Sequence, residues 1–164
     1  MFRRMSEPRP AIGKRPSCAS DLEFLARVYQ GTREEELSSL GWSAAQQQAF
    51  ARMQFDVRRR YYSGAYPEAE ECVILCDDSP AGSMIINRET GGLRVVDIAL
   101  LPEHRNRGIG GSLLSDLLGE ARALQLPLSL SVLRSSPAIR LYRRLGFEPL
   151  PGDDEVYLEM EYRP

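Results

Sequence analysis

The sequence is short of several residues that carry common chemistries. Lys14 is the only lysine, so lysine-dependent chemistry is absent from any folded core. His104 is the only histidine, and it lies far in sequence from Cys72 and Cys76, so a mixed histidine–cysteine metal site is not expected. The three cysteines, Cys18, Cys72 and Cys76, cannot close a disulfide framework. No secretory-signal pattern precedes them, and a cytoplasmic location is expected. Cys72 and Cys76 sit in the apolar run Glu71-Cys72-Val73-Ile74-Leu75-Cys76 and read as buried thiols. No apolar stretch approaches the roughly 18 residues of a membrane span, so no membrane partner is expected. The net charge of −2 leaves no basic footprint for nucleic acid.

What is present is the balance of an ordinary folded domain, with 43% hydrophobic and 27% charged residues. One domain over residues 11–164 is expected, after a polar, proline-containing tail over 1–10. Ala11 to Pro16 reads as a first strand. Ser20-Asp21-Leu22-Glu23 has capping-box spacing and opens a helix to about Tyr29. Thr32 to Leu40 is a further helical stretch, stopped by Gly41. Ser43 to Gln46 repeats the capping-box pattern before a long helix to about Tyr62. The chain then changes to strands: Glu71–Cys76, Ala81–Arg88 and Leu93–Leu101, joined by turns at Asp77–Pro80 and Thr90–Gly92. Gly108 to Leu124 is the clearest helix, with Ile109, Leu113, Leu114, Leu117, Leu118, Ala121 and Leu124 on one face. A strand over Leu128–Leu133 follows through that helix and so runs parallel to its predecessor. Ser136 as N-cap and Pro137 as first residue start a helix to Leu145, which Gly146 ends. Val156–Tyr162 is a last strand. The fold class is α/β, in the mixed α+β sense: a mostly antiparallel sheet of about 6–7 strands flanked by about 4 helices.

The segment richest in chemistry runs from Leu100 to Ser112. A strand ends, a polar loop turns, and a helix begins at Gly108-Ile109-Gly110-Gly111. Helix starts carry free N–H groups and partial positive charge, and glycines admit a phosphate without a Cβ in the way. Arg105 and Arg107 add charge beside it. A dinucleotide fingerprint would need a third glycine where Leu113 stands, and a P-loop would need a lysine.

Arg105-Asn106-Arg107-Gly108-Ile109-Gly110 resembles motif A of the GCN5-related N-acetyltransferases (GNAT), written [RQ]-x-x-G-x-[GA]. Ser136-Pro137-Ala138-Ile139-Arg140-Leu141-Tyr142-Arg143-Arg144-Leu145-Gly146-Phe147 resembles that family's N-P-A-x-x-L-Y-x-x-L-G-F. The resemblance implies a sheet whose fourth and fifth strands splay apart around acetyl-coenzyme A, with no metal. It implies that Ile98, Ala99 and Leu100 pair with the pantetheine arm. It also implies that the amides of Arg105, Asn106, Arg107, Gly108, Ile109, Gly110, Gly111 and Ser112 hold the pyrophosphate. Tyr142 matches the tyrosine that protonates the departing thiolate, a role suited to a phenol of pKa near 10.

The sequence departs from the pattern at two points. Ser136 stands for the asparagine that bonds the cofactor arm, and serves equally as an N-cap. The positions that often carry the general base hold Arg94, Val96 and Ser131. Asp97 is the nearest carboxylate, and strand alternation turns it away from Val96 and Ile98. Glu34-Glu35-Glu36 lies in the helical region that forms the family's acceptor wall, or reads as a solvated helix start favoured by the dipole. Tyr61, Tyr62 and Tyr66 line either the acceptor groove or the core and its rim. The function implied is transfer of an acetyl group from acetyl-coenzyme A to a primary amine. An acyl-coenzyme A sensor with little catalysis is the alternative. The acceptor is not legible, and a homodimer, common in the family, has no feature that fixes it.

Overall fold

The structure, a computed structural model, describes residues 10–164. The expected tail therefore lies almost wholly outside the described residues. The elements are β1 (Ile12–Pro16), α1 (Leu22–Ser38), α2 (Ala44–Ala65), β2 (Glu70–Cys76), β3 (Ser79–Glu89), β4 (Gly92–Leu100), α3 (Ile109–Leu124), β5 (Leu128–Leu133), α4 (Ile139–Arg144), β6 (Glu148–Pro149) and β7 (Tyr157–Tyr162). The seven strands form one sheet in the order β1-β2-β3-β4-β5-β7-β6. Only β4 and β5 are parallel, as the intervening helix requires. The β2–β3 turn places Asp77 and Asp78 at φ 49° and 62°, the two left-handed residues of a type I′ hairpin.

Two apolar clusters lie on opposite faces of the sheet. The larger packs Ile109, Leu113, Leu114, Leu117, Leu118 and Ala121 of α3 against Leu93, Val95, Leu128, Leu130 and Met160. The periodicity read from the sequence is the buried face of this helix. The smaller cluster joins Leu25 of α1, Phe55 of α2 and Val73 of β2. Helices therefore cover both faces, and β4 runs through the middle.

Three local expectations change. The stretch from Leu22 to Ser38 is one helix, not two, and Gly31 lies inside it. An interior glycine costs about 1 kcal/mol against alanine. Here it allows close approach, because a methyl at Gly31 would meet Pro102 Cδ at 3.3 Å. Ser20 is not the cap of this region. Cys18 caps a short 3-10 turn over Ala19–Asp21, and Asp21 accepts the Cys18 amide at 2.9 Å and both Arg15 Nη groups at 2.8 Å. Finally, α4 starts at Ile139 rather than at Pro137. Ser136 Oγ does accept the Ala138 amide, at 3.2 Å, but Ser136 and Pro137 make i→i+3 bonds first.

Candidate active site

The site forms where β4 loses its neighbours. Pairing between β4 and β5 stops at Leu93↔Leu128, Arg94↔Ser129 and Val95↔Leu130. Beyond it, Ile98, Ala99 and Leu100 pair with Met84, Ser83 and Gly82 of β3 but have no partner on the β5 side. The strands splay from this point. The register of β3 against β4 shifts at the same place, from Ile86↔Val95 to Ile85↔Asp97, which leaves Val96 as an extra residue. Such a bulge resets which face each side chain takes. Ile98 and Leu100 consequently pack with Val95 on the α3 side. Asp97 shares the α1–α2 side with Arg94, a relation that plain alternation would not give.

At the C-terminal end of β4 the chain turns through Pro102–His104 into the glycine segment. Asn106 and Gly108 take φ values of 57° and 79°. Gly108 is the N-cap of α3, and the first helical donor here is the Ser112 amide, to Gly108 O at 3.0 Å. The amides of Ile109, Gly110 and Gly111 thus precede the first i→i−4 bond. A methyl at Gly108 or Gly110 would meet no atom within 4 Å, so the space beside these two glycines is open. An exposed diphosphate fits that opening and that dipole. Arg107 Nη1 lies 3.4 Å from His104 Nδ1 at the rim. Arg105 differs from the expectation for its side chain: Nε donates to Leu100 O at 3.0 Å and Nη2 to Gly31 O at 2.9 Å. Its guanidinium is directed at backbone carbonyls.

The second motif packs on the first. A methyl at Gly111 would lie 3.6 Å from Leu141 Cδ1 of α4. The next residue, Tyr142, is 8% exposed, with its ring 5.9 Å from that of Phe147. Burial pushes its phenol above the ordinary range, and the charge of Asp97 adds to the shift.

Opposite Tyr142, on the α1–α2 side, stands a cluster that the sequence did not disclose. Arg58 of α2 pairs with Asp97 and donates from Nε to Tyr62 Oη at 3.1 Å. Its guanidinium lies 5.2 Å from the Tyr29 ring centre and 5.1 Å from that of Tyr62. Burial raises the Asp97 carboxyl above the usual range, while Arg58 and the Ile98 amide oppose the shift. A cavity of about 30 Å3, the size for one water, is lined by Arg58, Tyr62, Ser83 and Asp97 among others. Arg58 and Asp97 are 39 residues apart, and nothing in their local sequence marks them as partners. The bulge that turns Asp97 toward Arg58 has no signature either.

Other singled-out residues are dispersed. Arg94 donates to Glu159 at 3.0 and 3.1 Å, and Ser131 is exposed on β5. Glu36 pairs with Arg33 at 2.9 Å. Tyr61 is 66% exposed, whereas Tyr66 lines a cavity of about 400 Å3 with Asn87, Arg94, Ser129 and Glu161. That cavity lies at the N-terminal ends of β4 and β5, at the opposite end of β4 from the glycine turn. Among the described residues no helix is long and apolar enough to cross a membrane, and no group of three His, Cys, Asp or Glu could hold a metal.

Comparison with solved structures supports the fold. The PaiA N-acetyltransferase of Thermoplasma acidophilum, in complex with coenzyme A, matches at TM-score 0.70 and 18% identity, over 94% of this chain and 99% of that one. A GNAT family acetyltransferase of Elizabethkingia anophelis, with acetyl-CoA bound, matches at 0.58 and 16%, over 93% and 98%. A nourseothricin acetyltransferase matches at 0.50 and 30%, over 59% of this chain and 66% of that one. No curated protein matches the sequence significantly. The profile of the acetyltransferase (GNAT) domain matches residues 68–149, half of the chain, from the start of the meander through the Tyr142 helix to β6. The open glycine turn, the splay of β4 from β5 and this match lead to one conclusion: the chain belongs to the GNAT family of acetyltransferases.

Proposed function

We propose that this protein transfers an acetyl group from acetyl-coenzyme A to a primary amine, with Tyr142 as general acid. The observation that carries the reading is the position of the Tyr142 phenol: buried, on the helix whose Leu141 packs against Gly111 in the first turn of α3. Ile98, Ala99 and Leu100 offer strand edge to the pantetheine arm. The free amides of Ile109, Gly110 and Gly111 at the head of α3 face the pyrophosphate, with the turn from Arg105 to Gly108 beside them, while the Arg105 and Ser112 amides are held by Pro102 O and Gly108 O. Ser136 Oγ accepts the Ala138 amide and keeps its O–H free to donate to the cofactor arm. Residues 11–164 act on this reading as one catalytic domain.

The cosubstrate supplies an activated acetyl group as a thioester. The chain orients that carbonyl along the open edge of β4, so that a neutral amine can attack from the α1–α2 side. The bond from nitrogen to the carbonyl carbon forms and the carbon–sulfur bond breaks. Tyr142 donates its phenolic proton to the sulfur, and the amine loses a proton to solvent. Burial favours this role, because a raised phenol pKa keeps the proton in place across the neutral range.

The test is amine-dependent thiol release measured over a panel of amines. Tyr142→Phe lowers kcat by about 10- to 1000-fold, the scale of acid catalysis, with coenzyme A binding retained. The wild-type kcat keeps its alkaline limb above the ordinary phenol range near pH 10. An unchanged kcat in the variant removes Tyr142 from the mechanism. Coenzyme A binding without turnover on every amine class would instead make the chain a sensor, a reading to which the ion-paired state of Asp97 lends support.

A further inference from the structure

The free edge of β4 has no strand beside it, yet it must hold its shape to receive an extended ligand. β3 holds its other edge, and α1 backs its face. Two attachments join α1 to this end of β4. In the first, Asp97 pairs with Arg58, whose guanidinium lies over the Tyr29 ring of α1. In the second, Arg105 bridges Leu100 O and Gly31 O with two donors of one planar fork. Ile98 and Ala99 lie between the two. The second attachment is fitted closely: a methyl at Gly31 would stand 3.3 Å from Pro102 Cδ and 3.6 Å from Arg105 Nη2. The backbone of Arg105 is also fixed, its amide donating to Pro102 O at 3.2 Å.

We propose that Arg105 is a positioning residue that locks α1 to the end of β4 and to the glycine turn, so that cofactor affinity depends on its two-pronged geometry rather than its charge. A guanidinium holds fixed donors in one plane and can meet two carbonyls at once. An ammonium keeps the charge but is a single point, and can satisfy only one of the two at full strength. The missing side chain at Gly31 gives Pro102 and Arg105 their close approach to this turn of α1. Arg105 and Gly31 therefore work as a pair, 74 residues apart in the chain. This inference rests on the reading of the glycine turn as the coenzyme A site.

The two roles for Arg105 separate experimentally. The probe is coenzyme A, titrated calorimetrically against the intact protein at several salt concentrations. Arg105→Lys retains the charge and loses the fork, and Gly31→Ala leaves Arg105 intact but pries α1 away. Both are expected to raise Kd by about tenfold, the scale of one lost charge-assisted hydrogen bond, with the wild-type salt dependence preserved. Gly31→Ala also gains helix propensity, so its loss of affinity comes without a loss of folding stability. Hydrogen exchange supplies an independent readout: coenzyme A increases amide protection around Gly31 in the wild type and not in Arg105→Lys. Wild-type affinity in Arg105→Lys, or a reduced salt dependence, overturns the proposal and makes the residue a phosphate contact. Wild-type affinity in Gly31→Ala overturns it as well, even if Arg105→Lys does not fold. A wild-type protein that binds no coenzyme A would instead refute the cofactor reading beneath it.

Discussion

Arg58 and Asp97 occupy a place where neither would be stable alone. A buried carboxylate without a partner costs more than the pair contributes when intact. Arg58→Ala therefore lowers stability by about 3 kcal/mol at neutral pH. The loss depends on pH in a definite direction. Asp97 has a raised pKa in the folded state, so the contribution of its neutral form is complete below the unfolded value near 3.9 and is lost as pH rises through the folded value. Without Arg58 to oppose burial, that shift grows. Urea unfolding of Arg58→Ala should show a small deficit near pH 4 and a larger one near pH 7.5; an equal deficit at both would remove the buried carboxylate as its cause. At this scale the sequence is informative only where a motif names the residue. The motifs place Tyr142 and the glycines on adjoining elements, α4 against the first turn of α3, and that adjacency was legible. Arg58, Gly31 and the side-chain role of Arg105 were not, because their partners are set by tertiary packing across 39 and 74 residues.

The secondary-structure elements were more legible, for a physical reason. Apolar periodicity in α3 and β7, and turn residues at Asp77–Pro80 and Thr90–Gly92, are local properties that survive into the fold. The failures are local too. The gap between the two expected helical stretches falls at Gly31, where one helix runs through and packs against Pro102. The bulge at Val96 is invisible because no residue type marks it. The glycine turn is the element with most at stake. Gly108 sits at φ 79°, where a side chain costs about 1 kcal/mol of backbone strain. Yet no atom lies near its missing Cβ. Gly108→Ala should therefore fold, with a modest fall in melting temperature. Its affinity for coenzyme A should fall much more than that strain explains, because the methyl enters the open space beside the glycine. Affinity within a factor of two of wild type would place the pyrophosphate elsewhere.

Across the whole molecule the two apolar clusters divide the labour. The larger one holds α3 and α4, and with them the glycine turn and Tyr142. The smaller one holds α1 and α2 against β2, and with them the Arg58 wall. β4 is shared by both, so a ligand along its edge is gripped by both halves at once. Binding only the folded state stabilises it by mass action, about 2.7 kcal/mol at one hundred times Kd. Coenzyme A at that ratio should raise the melting temperature, and hydrogen exchange should slow on both faces of the sheet. Slowing confined to α3 would show that the cofactor touches one layer only. The class of fold and the parallel step from β4 to β5 were legible from element order. The acceptor was not, since the wall that would choose it is assembled from α1, α2 and β4 by packing alone.

The unpaired stretch at Ile98 to Leu100 has a consequence of another kind. A sheet normally carries its raw edges at its two borders, where an extended chain can add itself. Here a third edge lies indoors, opened by the parting of β4 from β5 and floored by helices on either side. On the proposed reading the arm of coenzyme A, an alkyl chain interrupted by amides, would lie in that gap as a surrogate strand, much as peptides complete the sheets of domains that recruit them. The protein without its ligand is, in these terms, a sheet one strand short. On the proposed reading, saturation with the cofactor would complete the sheet and add to the stability of the folded state.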